Sequence, residues 1–289
     1  MNRRCFHGFH GLTLTALALT ACTSTGAYRV DFGGVSGADG TPKGTVVMLL
    51  TAANEQTLSD GRTRETGYFL NEAYAPYRAL RDAGYSVRVS TIGGQVPAVD
   101  PESLDEKYGA DPAELADARA WAQSQQVLSP EAVETVAAAH EAYQGLIVPG
   151  GQGVMVDLLD DDVVHSTLAA FAANDRPVGL ICHAPAILAS MDAVPSAFVG
   201  RHVTSVSGFE EWYIERFVMG AHAEVRGIGD RLDDAGFEYD HAGPGRSNAV
   251  RDCSLVTSQN PFSSERFNTL FLEAMEDWRR GGRCVEDEG

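Results

Sequence analysis

Three short apolar runs constrain the fold of this chain more than any other feature. They are "GTVVMLLTAA" at 44–53, "GLIVPGG" at 145–151 and "PVGLIC" at 177–182, and each has the length of a buried strand. Between them the sequence predicts amphipathic helices, at "NEAYAPYRALRDAG", at 130–142 and at 163–174. Short apolar strands that alternate with helices predict an α/β fold whose mostly parallel sheet is covered on both faces.

The remaining elements complete one domain over residues 44–289. A second strand is predicted at "YSVRVSTIGG", and the polar, acidic stretch that follows, about 95–130, is too long for a plain loop and predicts an insertion or lid. Later elements are a helix ending near Ala193, a strand at "RHVTSV", a helix near "EEWYIERFVMG", a strand at "CSLVTSQ" and a final helix at "SSERFNTLFLEAMEDWRR". The ligand site is expected at the carboxyl ends of the parallel strands.

The amino terminus has the pattern of a bacterial lipoprotein leader. A basic start is followed by an apolar run too short to span a bilayer, and the run ends in Leu19-Thr20-Ala21-Cys22, which resembles a lipobox. The pattern predicts a signal peptide at 1–21, lipidation of Cys22 and a flexible Gly/Ser/Thr-rich tether at 22–43. The alternative is an ordinary signal peptide in which Cys22 is incidental. The lipobox predicts a location in the bacterial cell envelope and favours the periplasmic face of the outer membrane, although it does not determine the membrane side.

Net charge and hydropathy limit the partners. The formal net charge is −18, and the predicted leader holds two arginines and no acid, so the processed chain is more negative still. Such a body repels phosphate backbones, which argues against nucleic-acid binding. No later apolar stretch approaches the roughly 20 residues that a membrane span needs. Membrane contact is therefore expected only through the lipid.

Three cysteines remain after the leader and the lipidated residue. Outside the cytoplasm thiols tend to pair, and we expect a disulfide between Cys253 and Cys284 that leaves Cys182 free; three free thiols are the alternative. The histidines do not have the spacing of metal ligands. We expect no metal and no cofactor.

Cys182 stands at the end of a predicted strand and is followed at once by His183 and a predicted helix. The positive end of that helix would lower the pKa of the thiol and make it nucleophilic. The alternative is a buried strand cysteine beside a surface histidine.

Two other stretches are expected on the same edge of the sheet. "PGGQG" at 149–153 places Gly150, Gly151 and Gln152 after a strand, where backbone N–H groups unshielded by side chains can hold an oxyanion or other substrate oxygen. Glu72 lies at the beginning of the first helix, and a carboxyl beside a thiolate would have a raised pKa and carry a proton. Its alternative role is a helix-capping acid.

Together these motifs resemble the ThiJ/PfpI (DJ-one-like) superfamily. Glu72 before "AYAP", then "PGGQG" and "ICHAPAIL", are most similar to its heat-shock chaperone and glyoxalase III branch. The resemblance implies a flavodoxin-like three-layer sandwich of the class I glutamine amidotransferase type, in which Cys182 is the nucleophile, His183 its partner and Glu72 a hydrogen-bond partner of the sulfur. It also implies a homodimer and a later acid that orients the histidine, for which "GRHVTSVSGFEEW" points to Glu211, with Glu210 as the fallback.

One position departs from the branch. Its glycine turn usually reads Gly-Gly-His-Gly, and Gln152 replaces that histidine here. Glutamine donates a hydrogen bond but cannot carry a proton, so the departure leaves the choice of substrate open.

These motifs predict a cysteine-dependent, cofactor-free lyase of the glyoxalase III (D-lactate dehydratase) type, which converts 2-oxoaldehydes such as methylglyoxal to 2-hydroxy acids. Alternatives within the superfamily are an amidase or peptidase and a deglycase, so the substrate is a small aldehyde or amide. A non-enzymatic alternative is a lipid-anchored chaperone or thiol stress sensor. His222-Ala223-Glu224 has the spacing of an amidotransferase pair, but a further strand and helix follow it, so we do not assign it.

Overall fold

A computed structural model describes residues 42–108 and 111–282 of the chain. Their eleven strands are β1 Thr45–Leu49, β2 Glu55–Thr57, β3 Thr63–Glu65, β4 Ser86–Thr91, β5 Glu131–Ala132, β6 Gly145–Val148, β7 Val178–Ile181, β8 His202–Val203, β9 Glu238–Tyr239, β10 Ala249–Asp252 and β11 Leu255–Ser258.

Ten α-helices connect these strands within the described residues. They are α1 Leu70–Asp82, α2 Pro112–Ala122, α3 Gln125–Leu128, α4 Val133–Ala138, α5 Val154–Asp157, α6 Asp162–Ala173, α7 Ala186–Ser190, α8 Gly208–Tyr213, α9 Ile228–Asp234 and α10 Ser264–Arg279. A π-helix, Ile214–Met219, continues directly from α8.

A seven-stranded sheet forms the centre, in the order β10-β11-β7-β6-β1-β4-β5. Its strand pairs are parallel except β10 with β11, which is antiparallel. Strands β6, β7 and β11 are buried at every residue, as expected when helices flank the sheet. The predicted α/β fold with a mostly parallel sheet is therefore confirmed, with the strands shorter than the apolar runs that predicted them.

Several elements were not predicted. The hairpin of β2 and β3 is built from "EQT" and "TRE", and β10 from "AVRD", none of which shows the apolar alternation of a strand. The helix expected near "EEWYIERFVMG" is divided into α8 and the π-helix. The stretch at 95–130 contains α2 and α3, and Trp121 of α2 is fully buried against the rings of Tyr74 and Tyr77. This part of the stretch is thus packed against α1.

Some predictions lie outside the described residues. These are the signal peptide at 1–21, the lipidated Cys22, the tether up to residue 41, and Cys284. Cys253 is disulfide-bonded in the structure, while its pairing with Cys284 stays a prediction. Within 42–108 and 111–282, no helix combines the length and the apolar character that a bilayer span requires.

Candidate active site

Cys182 occupies a strained turn immediately after β7. Its φ is +59°, in the left-handed region that residues other than glycine rarely adopt. The turn is held on both sides, because the Cys182 N–H donates to the Ser258 carbonyl at 2.8 Å and its own carbonyl accepts from the Val206 N–H at 2.9 Å. The side chain is 5% exposed. The geometry is that of a nucleophile elbow, although Leu180 and Ala184 stand where hydrolase elbows have glycine.

The imidazole of His183 lies between the sulfur and an amide. Its Nδ1 is 3.2 Å from Cys182 Sγ, and its Nε2 is 3.0 Å from Gln152 Nε2. Gln152 Oε1 in turn accepts from Gln56 Nε2 at 3.2 Å, which fixes the orientation of the Gln152 amide. The amide nitrogen can only donate, so His183 Nε2 accepts and the ring proton resides on Nδ1. His183 therefore faces the sulfur as a hydrogen-bond donor.

His183 is neutral in this environment. Burial lowers its pKa to about 4, which outweighs the opposing effect of the Glu210 charge. A neutral ring that carries its proton on Nδ1 stabilises a thiolate but does not accept the proton of the Cys182 thiol at that nitrogen. The proton must leave the sulfur by another route.

Glu72 provides that route. Its side chain, on the first turn of α1, is completely buried, and its Oε2 accepts from the Gly150 N–H at 3.1 Å. Burial raises the pKa of Glu72 to about 8, while hydrogen bonds from the Cys182 side chain and the Gly150 N–H oppose the rise. The carboxyl is therefore not a helix cap: it bridges the sulfur and the glycine turn and can hold a proton at neutral pH.

The expected lowering of the Cys182 pKa is not found. The helix after the cysteine begins only at Ala186 and has five residues, so its amino terminus lies beyond the sulfur. Burial, followed by the negative charges of Glu72 and Glu210, raises the pKa of Cys182 well above its ordinary value, and only the His183 backbone N–H opposes this. Cys182 and Glu72 therefore titrate as a pair: when the pair loses one proton, near the pKa of Glu72, the two groups share the other, and the thiolate is present when Glu72 holds it.

The glycine turn packs tightly against both groups. A Cβ on Gly150 would lie 2.6 Å from Glu72 Oε2 and 2.7 Å from Cys182 Cβ. Gly151 has a φ of +108°, and a Cβ there would lie 2.4 Å from the Gly67 carbonyl oxygen. Only glycine allows the backbone to approach this closely.

Glu211 does not reach His183. Its carboxylate accepts from the backbone N–H groups of Gly227 and Ile228, each at 3.2 Å, at the start of α9. Both ring nitrogens of His183 are already occupied by Cys182 and Gln152, which leaves no place for an orienting acid. The role predicted for Glu211 is therefore wrong: it caps α9.

The fallback residue Glu210 lies closer to the reacting groups. It lines the cavity above Cys182, and its carboxylate accepts from Gln259, Asn260 and the Gly245 N–H at 2.8 to 2.9 Å. Its charge acts on both Cys182 and His183. Glu210 therefore shapes the electrostatics of the site and positions its walls.

We expect Glu211→Gln to change the pH dependence of stability. Burial raises the pKa of Glu211 from 4.5 to about 7, so the folded protein binds this proton more tightly than the unfolded chain. The corresponding stability is present below pH 4.5 and is lost as the pH rises to about 7, up to roughly 3 kcal/mol. The variant lacks this loss. Its free energy of unfolding relative to the parent, from urea titrations, should increase between pH 5 and pH 8.

Glu224→Gln is the control, because Glu224 is exposed on the neighbouring loop. If the free energy of unfolding of both variants had the same pH dependence as that of the parent, Glu211 would not bind a proton more tightly in the folded protein.

Replacing Gln152 tests which ring nitrogen of His183 carries the proton. In Gln152→Glu a carboxylate faces His183 Nε2, which would draw the ring proton to Nε2 and leave a lone pair on Nδ1 toward the sulfur. If the Nδ1 proton takes part in the reaction, kcat/KM falls by about 10². The ¹⁵N chemical shifts of His183 report the tautomer directly. Retention of the Nδ1 proton in this variant would contradict the assignment of the ring proton from the Gln152 amide, and Gln56→Glu, at the residue that orients this amide, provides the matched comparison.

A cavity of 380 Å³ opens above these groups. Cys182, His183, Gly151 and Gln152 form its floor. Four charged side chains, which we call the charged wall, line the cavity: Arg64, Asp100, Glu102 and Lys107. The rest of the lining, the apolar wall, is mainly apolar and aromatic and includes Phe69, Tyr108, Val206, Phe209, Tyr213, Ile214, Val218, Pro244, Pro261 and Phe262. The two parts meet at Tyr108, whose hydroxyl donates a hydrogen bond to Glu102.

Gln56 and Arg64 are among the residues of this site that sequence reasoning missed. Both belong to the β2–β3 hairpin, where they are directly paired, and nothing in "EQT" or "TRE" indicates a functional role. Neither Trp121 nor Trp212 is part of the cavity wall. Within the described residues, no group of three or more His, Cys, Asp or Glu side chains is arranged to hold a metal ion.

Comparison with known proteins finds a matching family and a similar curated protein. Residues 66–274 match the model of the DJ-1/PfpI family, a span that includes Glu72, Gly150 and Cys182 but begins after Gln56 and Arg64. A curated relative, the protein/nucleic acid deglycase HchA of Staphylococcus aureus strain Newman, is 25% identical over 275 residues, which cover 86% of each chain.

Solved structures agree on the fold. Glyoxalase III of Candida albicans is 20% identical, with a TM-score of 0.67 over 80% of this chain and 97% of that chain. The 24 kDa rapid encystment protein of Francisella tularensis is 23% identical, with a TM-score of 0.63 over 80% and 99%. A third structure, of a protein without a stated activity, is 28% identical, with a TM-score of 0.67 over 81% and 99%.

Proposed function

Because this chain belongs to the DJ-1/PfpI family, we propose that it is a Cys182-dependent enzyme that converts 2-oxoaldehydes to 2-hydroxy acids without a cofactor. The observation that carries this proposal is the buried cluster of Cys182 Sγ, His183 Nδ1 at 3.2 Å and Glu72, below a cavity open to a small molecule. The name of the curated HchA relative supports a deglycase equally, in which the same thiol would act on a 2-oxoaldehyde already attached to an amine or thiol.

The first step forms a bond between sulfur and the aldehyde carbon. The shared proton rests on Glu72, the Cys182 thiolate attacks, and the N–H groups of Gly151 and His183 hold the oxygen as its charge develops. Glu72 then gives its proton to that oxygen, which produces a neutral hemithioacetal. The His183 Nδ1–H stabilises the thiolate until it attacks.

The second step moves a proton between the two carbons. Glu72, now a carboxylate, takes the proton from the former aldehyde carbon and gives it to the ketone oxygen, which produces an enediol. Glu72 then takes the proton of the hydroxyl on the first carbon and gives it to the neighbouring carbon. The product is a thioester of the 2-hydroxy acid. Water hydrolyses this thioester and restores Cys182 with its shared proton. One carbon is oxidised and its neighbour is reduced, so the reaction needs no external oxidant. The hydrolysis consumes one water molecule.

The structure gives no support to an amidotransferase-type hydrolase. His222 lies outside the cavity wall, and its Nδ1 is 2.8 Å from Glu215 Oε2, which also pairs with Arg226 at 2.7 Å. His222 therefore belongs to a surface ion cluster and not to the Cys182 site.

Product analysis tests the proposal. The purified protein is incubated with methylglyoxal, and separately with a preformed adduct of methylglyoxal and N-acetylcysteine. Lactate from free methylglyoxal, with adduct loss no faster than its spontaneous dissociation, supports the glyoxalase reaction. Adduct loss faster than spontaneous dissociation favours the deglycase. Lactate in neither incubation would overturn the proposal.

We also propose that lipidation of Cys22 holds the enzyme in the bacterial cell envelope. The support is the Leu19-Thr20-Ala21-Cys22 sequence and the Gly/Ser/Thr-rich segment after it. Radioactive palmitate should label the parent protein in cells and should not label Cys22→Ala; equal labelling would contradict the anchor.

A further inference from the structure

The cavity is larger than a three-carbon aldehyde requires. Its 380 Å³ lies in the range of sites that enclose ligands of drug size, of roughly 300 to 1,000 Å³. Methylglyoxal bound at Cys182 would fill only the floor and leave the apolar wall in contact with water. Apolar surface left wet in this way gives no binding energy.

The apolar wall leads from the sulfur out to the surface. Phe69 and Tyr108 pack edge to face at 5.0 Å inside the cavity. Phe209 and Tyr213 line the cavity and are still 55% and 47% exposed.

Outside the cavity, Trp212 and Phe217 extend this surface. Trp212 lies 5.3 Å from the ring of Phe209, and Phe217 lies 5.1 Å from the ring of Tyr213. We call Phe209, Trp212, Tyr213 and Phe217 the aromatic rim. The rim is continuous with the cavity, so a ligand at Cys182 can reach it.

The π-helix explains why its apolar side chains lie both in the cavity lining and on the exposed rim. It begins at Ile214, directly after Tyr213, and its wider turn changes the register of the helix face. Ile214 and Val218 line the cavity, while Phe217 is 61% exposed on the rim. π-helical turns are frequent at functional sites.

The charged wall does not provide a surplus of positive charge. Arg64 Nη2 is 3.4 Å from Asp100 Oδ1, and Lys107 Nζ is 2.7 Å from Glu102 Oε1, so each cation faces a carboxylate. Glu210 adds a further negative charge to the lining. Such a wall does not favour an anionic substituent on the substrate.

From the size of the cavity, its apolar and aromatic wall and the pairing of its charged side chains, we propose that the substrate is an aldehyde with an uncharged apolar tail. The tail, an alkyl chain or an aryl ring, lies along the apolar wall toward the rim while the aldehyde carbon meets Cys182. This inference rests on the proposed function and names its substrate class.

A series of 2-oxoaldehydes tests it. Methylglyoxal, propylglyoxal, pentylglyoxal and heptylglyoxal differ only in the length of the tail, and phenylglyoxal provides an aryl group. Each methylene that enters the wall should raise kcat/KM by up to about fourfold until the cavity is filled. Turnover that is equal for all members, or that falls with tail length, would overturn the inference while the proposed function stands. Turnover of no member would overturn the proposed function itself.

A rim variant tests the location of the tail. Phe209→Ser should lower the ratio of kcat/KM for heptylglyoxal to that for methylglyoxal by about tenfold. The control is Val199→Ser, because Val199 is 62% exposed and does not line the cavity; it should leave the ratio unchanged. A ratio within one protein is insensitive to the fraction that folds. If Phe209→Ser and Val199→Ser gave the same ratio as the parent, the tail would not lie on this wall.

Discussion

Cys182→Ser is expected to abolish aldehyde turnover, with kcat/KM lowered by on the order of 10⁴. Serine keeps the size of the side chain and can accept the hydrogen bond from His183 Nδ1, but a hydroxyl ionises far less readily than a thiol, and Glu72 cannot deprotonate it. No second thiol substitutes, because Cys182 is the free cysteine in the described part of the chain. Initial rates of lactate formation measure the effect, and thermal unfolding checks that the variant is folded. Turnover near the parental rate would overturn the proposed nucleophile.

The strained backbone of Cys182 permits a second control. An L-residue in the left-handed region is less stable there than glycine by roughly 1 to 2 kcal/mol, and Cys182 has a φ of +59°. Cys182→Gly should therefore be more stable than Cys182→Ala by about 1 kcal/mol, with both inactive. Urea unfolding measures the difference. Equal stabilities would show that the turn relaxes when the thiol is removed.

The central sheet was predictable because its signal is local. The runs at 44–53, 145–151 and 177–182 are apolar throughout, and a strand buried on both faces requires that. The exact ends were not predictable, because the strands stop where hydrogen-bond partners in the neighbouring strands stop. The polar hairpin of β2 and β3 carries no such signal, and its position depends on tertiary contacts.

For the motif residues of the site, the position was predictable from the sequence but the local backbone geometry was not. Cys182 and the glycine turn follow β7 and β6 of the parallel sheet, and Glu72 lies in the first turn of α1, so the topology brings them to one edge. The left-handed φ of Cys182 has no sequence signature here, because the flanking glycines of a hydrolase elbow are absent.

The partner of His183 could not be predicted from spacing. The family resemblance favoured Glu211, but the ring nitrogen distal to the sulfur binds Gln152, whose amide is held by Gln56 on the hairpin. The contact of Gln152 with His183 joins residues 31 positions apart, and that of Gln56 with Gln152 joins residues 96 positions apart. The second contact depends on a hairpin that the sequence did not indicate. The substitution of glutamine for the usual histidine in the glycine turn was the available clue.

Glu72→Gln is expected to lower kcat by about 10² to 10⁴, the usual contribution of a positioned acid or base. Glutamine keeps the shape of the side chain and can accept from the Gly150 N–H, but it cannot take a proton from carbon and return it. The pH profile of the parent should change near pH 8, since the pKa of Glu72 is about 8, and this change should be absent in the variant. Initial rates between pH 5.5 and pH 9.5 measure both effects.

Thiol reactivity separates this role of Glu72 from a structural one. Above pH 8 Glu72 is charged and raises the pKa of Cys182, so a neutral glutamine lowers that pKa, and iodoacetamide should alkylate Cys182 faster in Glu72→Gln at pH 9 even though catalysis is slower. Stability should move in a defined direction as well. Folding raises the pKa of Glu72 from 4.5 to about 8, so the free energy of unfolding of the parent contains a contribution that is lost as the pH rises through that interval. The Glu72→Gln variant does not show this loss. A variant with parental kcat would show that Glu72 only fills space. A variant with slow catalysis and slow alkylation would show that it only holds the sulfur in place. Slow catalysis with fast alkylation is the result expected of a proton carrier.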